Sequence, residues 1–239
     1  FDRYLGVNGT GYNGKIGVIF KPINEIRLGA SIHTPTFYNL HETFDTRMIS
    51  NNTFEETGQV EDIASSRIND YDYDLETPLR ATLSAAYIFS DKGLISVDYE
   101  YVNIGTAKLR RGGDGYNFVN ENSDIAEIYK PAGNFRIGGE YVVAPDINLR
   151  AGYELYPSVY KTTAFGTQQP NSDSHLNVVS AGFGYRTGGF FFDLAYRHSF
   201  SKSFDMLYQA PSSGYYPVPE MASFKEVNNK VMFTLGFKF

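Results

Sequence analysis

Apolar residues alternate with polar or small residues along much of the chain, a period-2 pattern typical of β-strands that are hydrophobic on one face only. Residues 231–239 show it most clearly, because every odd position there is apolar and the segment ends on the aromatic Phe239. Segments of about 10 residues with this alternation, separated by turn residues, are the sequence signature of a transmembrane β-barrel. The pattern therefore predicts an all-β, antiparallel transmembrane barrel.

About nine such segments are present, at residues 16–20, 26–32, 79–89, 95–101, 135–143, 147–155, 179–185, 190–196 and 231–239. The apolar parity of each segment contains no charged residue. The opposite parity carries Arg27, Arg80, Asp98, Glu100, Arg136, Glu140, Arg150, Glu154, Arg186, Asp193, Arg197 and Lys230. Because an Arg or Lys at mid-depth on the lipid side costs roughly 2 to 4 kcal/mol, we expect the charged parity to face the interior.

The connections between these segments alternate in length. Four are tight, at residues 22–25, 90–93, 144–146 and 187–189, and long polar stretches lie at about 49–70, 108–130, 158–175 and 201–224. Outer-membrane barrels have short periplasmic turns and long extracellular loops. The alternation therefore predicts that all tight turns lie at one end of the sheet.

Nine strands is an odd number, whereas bacterial single-chain barrels have an even number. We therefore expect residues 1–239 to form the C-terminal part of one larger outer-membrane barrel domain, with the first strands not in this chain. The alternative is a missed hairpin, with residues 36–48 as the candidate.

Composition excludes several classes of protein. The net charge of −6 argues against a nucleic-acid partner, which needs a basic face. No run approaches the roughly 18 apolar residues of a membrane helix, and the absence of cysteine removes disulfides and thiolate metal sites. His33, His41, His175 and His198 lack the spacing of a metal-binding pair. We expect no cofactor and no enzymatic activity.

Several segments together resemble the FadL/TodX family of outer-membrane transporters for hydrophobic compounds. In chain order they are GKIGVIFKP at 14–22, IRLGAS at 26–31, TP at 34–35, TPLR at 77–80, VDYEY at 97–101, LRAGY at 149–153, SAGFGYR at 180–186 and DLAY at 193–196. The resemblance spans most of the chain, although each segment alone is only typical of a barrel.

The resemblance implies a monomeric barrel of fourteen strands in the bacterial outer membrane, plugged by an N-terminal hatch and in contact with membrane lipid and lipopolysaccharide. Its ligand would be a hydrophobic small molecule, a long-chain fatty acid or an aromatic hydrocarbon, taken up passively and released sideways through the wall. By this resemblance, we expect the N-terminal portion, where the hatch and the strand with the lateral opening would lie, to be missing from residues 1–239.

The interior charges are nearly balanced, and the sequence pairs Arg136 with Glu140, Arg150 with Glu154, and Asp193 with Arg197. Such pairs stabilise a sheet, so most of these residues are expected to fill the interior. An arginine left unpaired offers two parallel donors to a substrate carboxylate. The candidates for this role are Arg80, Arg136, Arg150 and Arg27, with Arg80 or Arg136 first.

A second candidate site is a row of carboxylates, Asp70, Asp72, Asp74 and Glu76, which alternate with Tyr71 and Tyr73 near the outer rim. Oxygen ligands of this kind suit a hard cation such as calcium. Alternatively, Arg110 and Arg111 from a neighbouring loop, or solvent, compensate the charge. The two tyrosines are expected to belong to the aromatic girdle at the membrane interface.

Two alternatives to transport are also compatible with the alternating pattern. A barrel of the same lineage could serve as a structural or docking partner in an envelope or secretion complex, with its long loops as the working surface. A soluble β-sandwich would instead bury the apolar rows between two sheets. A transporter should have an apolar pocket in the barrel interior, whereas a docking protein should have an interior filled by side chains or by another protein. A β-sandwich should have its apolar rows covered by a second sheet.

Overall fold

The computed structural model describes residues 2–54, 58–65, 69–205 and 220–238, with the side chains of residues 50–54 and 58–65 left out, and Phe239 lies outside this part of the chain. The strands are β1 Asp2–Tyr12, β2 Lys15–Phe20, β3 Ile26–His33, β4 Phe37–Phe54, β5 Gly58–Ser65, β6 Asn69–Glu76, β7 Arg80–Ile88, β8 Gly93–Asn103, β9 Lys108–Arg110, β10 Pro131–Ala144, β11 Ile147–Tyr156, β12 Thr163–Ala164, β13 Thr167–Gln168, β14 Leu176–Thr187, β15 Phe190–Asp205 and β16 Ala222–Phe237. One 3-10 helix, Ile104–Thr106, and one α-helix, α1 Val119–Ile128, lie between β8 and β10.

Nine strands form one antiparallel sheet, hereafter the wall, in the order β16-β15-β14-β11-β10-β8-β7-β3-β2. These are the nine strands that the alternation predicts, and each pairs with the wall strands next to it along the chain, while β4–β6, β9, β12 and β13 lie outside the wall. The prediction of an all-β antiparallel fold is confirmed. Neighbouring strands keep one register, for example Glu140 opposite Arg150 and Arg80 opposite Val102, so residues of one parity share one face.

The tight connections all lie at one end of the wall, as predicted, joining β2 to β3, β7 to β8, β10 to β11 and β14 to β15. The predicted long polar stretches contain more regular structure than expected. Residues 49–70 include β5 and the end of β4, residues 108–130 include β9 and α1, and residues 158–175 include the β12–β13 hairpin. In the stretch 201–224, β15 and β16 extend beyond their predicted ends, and residues 206–219 lie outside the described residues.

A second sheet, hereafter the outer sheet, has the order β1-β4-β6-β9, with β5 paired to β4. It prolongs four wall strands, because β1 precedes β2, β4 follows β3, β6 precedes β7 and β9 follows β8. Residues 37–48, part of the segment considered as a missed hairpin, lie within β4 and pair with β1 and β6. They extend the outer sheet and add no strand to the wall.

The outer sheet and the wall meet at a seam formed by residues 34–36 and 77–79. Pro35 and Pro78 lie here, and proline has no N–H to donate to a strand ladder. Threonine side chains supply other contacts: the Gly14 N–H donates to Thr34 Oγ1 at 2.9 Å, and the Thr36 N–H donates to Thr77 Oγ1 at 2.8 Å. The seam therefore breaks the regular ladder while keeping the backbone groups bonded.

The apolar face of the wall is not covered by another layer of the described protein. Val18, Leu83 and Phe233 are 66%, 64% and 72% exposed, and only five hydrophobic residues of the described chain are buried. This excludes sheet-on-sheet packing, which would bury these side chains. Among the described helices, none is long and apolar enough to cross a membrane.

The wall is open in the described part of the chain. Its edge strands, β2 and β16, each pair with one neighbour only. A strand edge in contact with hydrocarbon leaves backbone N–H and C=O groups without partners, so membrane-spanning sheets are closed. The open sheet is consistent with part of a larger barrel.

Candidate functional site

The inner face of the wall, defined as the parity that carries the charges, holds a cluster centred on Arg150. The Arg150 guanidinium donates to Glu140 Oε2 at 2.5 Å and to Asp193 Oδ1 at 2.6 Å. Glu140 lies opposite Arg150 on β10, whereas Asp193 is two strands away on β15. Arg150 reaches it across Gly182 and Gly184, where an added Cβ would lie 3.3 Å from atoms of the arginine side chain. Glycine at these positions makes room for the ion pairs.

A second group of interior charges lies next to this cluster. The Arg136 guanidinium donates to the Tyr156 hydroxyl at 3.2 Å and lies 3.6 Å from a Glu100 oxygen. Arg197 donates to Glu154 at 3.4 Å. The predicted pairings of Arg136 with Glu140, Arg150 with Glu154, and Asp193 with Arg197 are therefore wrong, because each arginine is paired across strands instead of along the chain.

The remaining interior acids on β8 also have partners. Ser84 donates a hydrogen bond to Asp98, and the Asn134 amide donates to Glu100 at 2.8 Å. Arg136 and Arg150 line one open cavity of about 610 Å³, together with serine, glycine and acidic residues of the same face. The charges of Arg136 and Arg150 in this part of the interior are engaged by acidic side chains, so neither arginine is free to bind a substrate carboxylate.

Three basic residues occupy one row of the inner face beside the seam. Lys15 on β2 lies opposite His33 on β3, and His33 lies opposite Arg80 on β7. Together with Glu100 they line a cavity of about 210 Å³. Within the described residues, Lys15 and Arg80 make no hydrogen bond or ion pair, and His33 Nε2 is buried without a partner. We call Lys15, His33 and Arg80 the cationic row, after the lysine and the arginine on either side of the histidine.

The four candidate arginines thus fall into different environments. Arg136 and Arg150 lie close together and are engaged by acidic partners, whereas Arg80 belongs to the cationic row. Arg27 is exposed near the tight-turn end of β3, opposite Ala86, and has no polar partner among the described residues. Their role as substrate contacts stays a prediction, and the geometry favours Arg80.

Sequence reasoning missed Lys15 and His33 as members of this row. The sequence does contain a signal, because His33 stands immediately before Thr34-Pro35 and Arg80 stands just after Thr77-Pro78. The two breaks lie at the same height in this sheet, because Thr36 and Thr77 are hydrogen-bonded to each other. The pairing that brings the two together joins residues 47 positions apart and is set by the sheet register.

The row of carboxylates lies on β6 in the outer sheet. Asp72 is 2.8 Å from His41 Nδ1, and this hydrogen bond raises the pKa of His41 above its usual value. The other three carboxylates also have partners: Asp70 accepts from Thr43, Asp74 lies 3.4 Å from Arg111, and Glu76 lies 2.7 Å from Arg110. Arg110 and Arg111 occupy the compensating positions that the alternative to a cation site assigns them. No cluster suited to a metal ion is found among the described residues.

Tyr71 and Tyr73 do not lie in a membrane girdle. Their rings pack against Phe118, and their hydroxyls donate to Asp114 and Glu42 at 3.0 Å each. Burial, and next the hydrogen bond to Asp114, raise the pKa of Tyr71. These tyrosines hold the loop before α1 against the outer sheet.

A nine-stranded wall with an apolar outer face and a charged inner face defines the class of outer-membrane β-barrel proteins. The chain belongs to the family of outer membrane protein transport proteins (OMPP1/FadL/TodX), whose profile matches residues 3–238. The protein is therefore a bacterial outer-membrane protein. The family consists of transporters, so the prediction of no enzymatic activity is confirmed at the level of the family.

Two solved structures are similar to this chain. The Ralstonia pickettii toluene transporter TbuX has 15% sequence identity and a TM-score of 0.51, over 99% of this chain and 51% of that one. A Pseudomonas aeruginosa FadL homologue has 12% identity and a TM-score of 0.48, over 97% of this chain and 67% of that one. The chain thus spans about half the length of the toluene transporter, and the likeness to it shows the fold. No curated protein sequence matches the chain.

Proposed function

We propose that the protein takes up hydrophobic small molecules passively across the outer membrane, and that these are long-chain fatty acids or aromatic hydrocarbons. The observation that carries the proposal is a lipid-facing wall with a polar, charged interior in a chain of this transport family. We further propose that residues 1–239 are the C-terminal part of one closed, monomeric barrel. The unpaired edges of β2 and β16 support a wall that further strands complete.

The cationic row supports an acidic head group on the substrate. Lys15 and Arg80 make no side-chain hydrogen bond or ion pair in the described chain, and the acid that lines their cavity, Glu100, is engaged by Asn134 and Arg136 instead. A carboxylate bound between them would supply the missing charge and accept parallel hydrogen bonds from the guanidinium. Fatty acids carry such a group, and aromatic hydrocarbons do not.

The cluster of Arg150, Glu140 and Asp193 limits how far a hydrophobic substrate can move along the inner face of the wall. An apolar chain gains nothing from contact with Arg150, Glu140 and Asp193, whose hydrogen bonds already satisfy one another. We infer that the apolar part of a substrate does not travel past this cluster. Release through the wall, which the family resemblance implies, fits this arrangement.

Uptake into liposomes tests the proposal. The natural full-length protein is reconstituted, and entry of radiolabelled oleate and of toluene is measured against protein-free liposomes. Saturable entry of either compound is expected. Entry of neither compound above the protein-free rate would contradict transport and favour the docking function.

A further inference from the structure

The outer face of β14, β15 and β16 changes character near its extracellular end. Asn177, Phe200 and Val227 form one row across these strands, through the pairs Asn177–Phe200 and Phe200–Val227. This row has the parity of Val179, Tyr196 and Val231 and therefore belongs to the lipid-facing side. The next row outward contains Lys202 and Lys225, which lie directly opposite one another. Cations thus replace apolar residues within two positions.

The height of these lysines matches the lipid head groups. Lys202 lies twelve residues along β15 from Phe190, the first residue after the tight turn. At about 3.3 Å per residue and a strand tilt of roughly 40°, this is roughly 30 Å along the barrel axis, compared with an apolar band about 25 Å tall. The two ammonium groups therefore lie just beyond the hydrocarbon, at the outer leaflet.

Two like charges directly opposite each other destabilise a sheet unless something compensates them. The described residues supply no hydrogen bond or ion pair to either lysine, and Lys202 is placed instead over the Phe204 ring, 4.5 Å from its centroid. Glu226 and Asp205 have the parity of the inner face. Residues 206–219 contain no charged side chain that could act as a counterion.

The two lysines line a surface cavity of about 380 Å³. His175, Phe200 and Phe204 also line this cavity. Asp173 is the acidic residue at its margin, and its main-chain oxygen lies 3.0 Å from His175 Nδ1. The cavity is apolar towards the membrane and cationic towards the outside. This is the polarity of a lipid with a phosphorylated head group, whose acyl chains lie below and whose phosphate lies above.

We propose that Lys202 and Lys225 bind the phosphate of an outer-leaflet lipid, of the phosphorylated glycolipid class to which lipopolysaccharide belongs. The two ammonium groups contact the phosphate, and Phe200 and Val227 contact the first part of the acyl chains. His175 lies at the same margin and adds a further donor. The site is separate from the inner face and does not depend on what the barrel transports.

Lipid binding is measured on the natural full-length protein in detergent by native mass spectrometry during titration with diphosphoryl lipid A. The test variant is Lys202→Gln/Lys225→Gln. The matched control is Lys21→Gln/Lys238→Gln, which removes two exposed lysines at the tight-turn end of the wall. Heat-modifiable migration in gels verifies that each variant is folded.

The test variant is expected to bind lipid A roughly 10- to 30-fold more weakly, because each lysine near an anionic lipid surface contributes about 1 kcal/mol. The control pair is expected to bind as the unmodified protein does, and Lys202→Arg/Lys225→Arg is expected to retain binding. Phosphatidylcholine, whose phosphate is neutralised by its own choline, is expected to bind weakly in all variants.

Three results would overturn the proposal. One is unchanged lipid A binding by the folded Gln pair. Another is equal loss in the control pair, which would show a general charge effect. The third is complete displacement of lipid A by millimolar inorganic phosphate, which would identify a site for the free anion instead of a lipid.

Discussion

The two halves of the wall differ in whether the charged residues of the inner face are paired with residues of opposite charge. At mid-height on β10, β11 and β15, Arg136, Glu140, Arg150, Glu154, Asp193 and Arg197 each have an oppositely charged partner within the described residues. On β2, β3 and β7 the inner face carries Lys15, Arg27 and Arg80, and these three strands contain no acidic residue. Charges that are balanced internally serve folding, whereas charges left unbalanced are available to a ligand.

The outer sheet sharpens this contrast, because it rises above the half of the wall that carries the unbalanced cations. It is rich in carboxylates, yet Asp72, Asp74 and Glu76 contact His41, Arg111 and Arg110 instead of the cationic row. Proximity alone has not neutralised the row. Substituting an arginine in one half of the wall should therefore change the stability of the protein, whereas substituting an arginine in the other half should change its transport of an acidic substrate.

The largest effect is expected from Arg150→Met. It leaves Glu140 and Asp193 without their cation, and these side chains are only about a quarter exposed. We expect the free energy of unfolding, measured by urea titration in detergent, to fall by about 2 kcal/mol, below the value for a fully buried pair because of solvent screening. Adding Glu140→Gln and Asp193→Asn should recover part of the loss.

The matched change in the other half is Arg80→Met, which breaks no ion pair in the described chain. Its effect on the free energy of unfolding is expected to stay within about 0.5 kcal/mol. A loss as large as that of Arg150→Met would show that Arg80 has a structural partner and would remove the contrast between the halves.

Arg80→Gln is expected to act on transport instead. The concentration of oleate that gives half-maximal uptake should rise about 5- to 10-fold, because one charge-assisted hydrogen-bonding partner of the carboxylate is lost. Toluene uptake should not change, since toluene has no charge. Ser31→Glu, which places a carboxylate in the same cavity while keeping Arg80, should reproduce the effect on oleate.

The smallest expected effect is a pH dependence of the outer sheet. The hydrogen bond to Asp72 raises the pKa of His41, so the protonated form is favoured in the folded state. The stabilisation is therefore fully present below the unfolded pKa of about 6.5 and is lost as pH rises through the higher folded value. Hydrogen exchange of β4 and β6 amides should show less protection, corrected for intrinsic rates, above that value. In His41→Asn this dependence should disappear.

The wall could be predicted from sequence because its signal is local. Alternation along a strand is imposed by hydrocarbon on one side, and the penalty for a charge there applies to each residue separately. Residues 16–20 and 231–237 can therefore be predicted as strands from their own sequence, without knowing which strands they pair with. The outer sheet lies outside the hydrocarbon, so β4 has no clean apolar alternation and β6 alternates carboxylates with tyrosines, and the sequence predicts neither as a wall strand.

The interior contacts could not be predicted because they depend on register. Arg150 contacts Asp193 across β14, which has only glycine on the inner face at that height. Nothing near Arg150 in the sequence indicates which acidic residue it contacts. The cationic row has the same origin, since Lys15, His33 and Arg80 meet only when three strands are aligned. Side-chain parity was predictable, whereas pairing was not.

The seam of threonine and proline residues has a consequence for how the molecule comes apart. The opening of a β-ladder is cooperative because each pair of main-chain bonds supports the next. At residues 34–36 and 77–79 this succession is reduced to single main-chain bonds, from Thr34 N–H to the Gly14 carbonyl and from Thr77 N–H to the Thr36 carbonyl, beside the hydroxyl contacts of Thr34 and Thr77. We therefore expect fraying that begins at the tip of the outer sheet to stop at this line. The wall strands would then keep their order while the outer sheet opens and recloses above them.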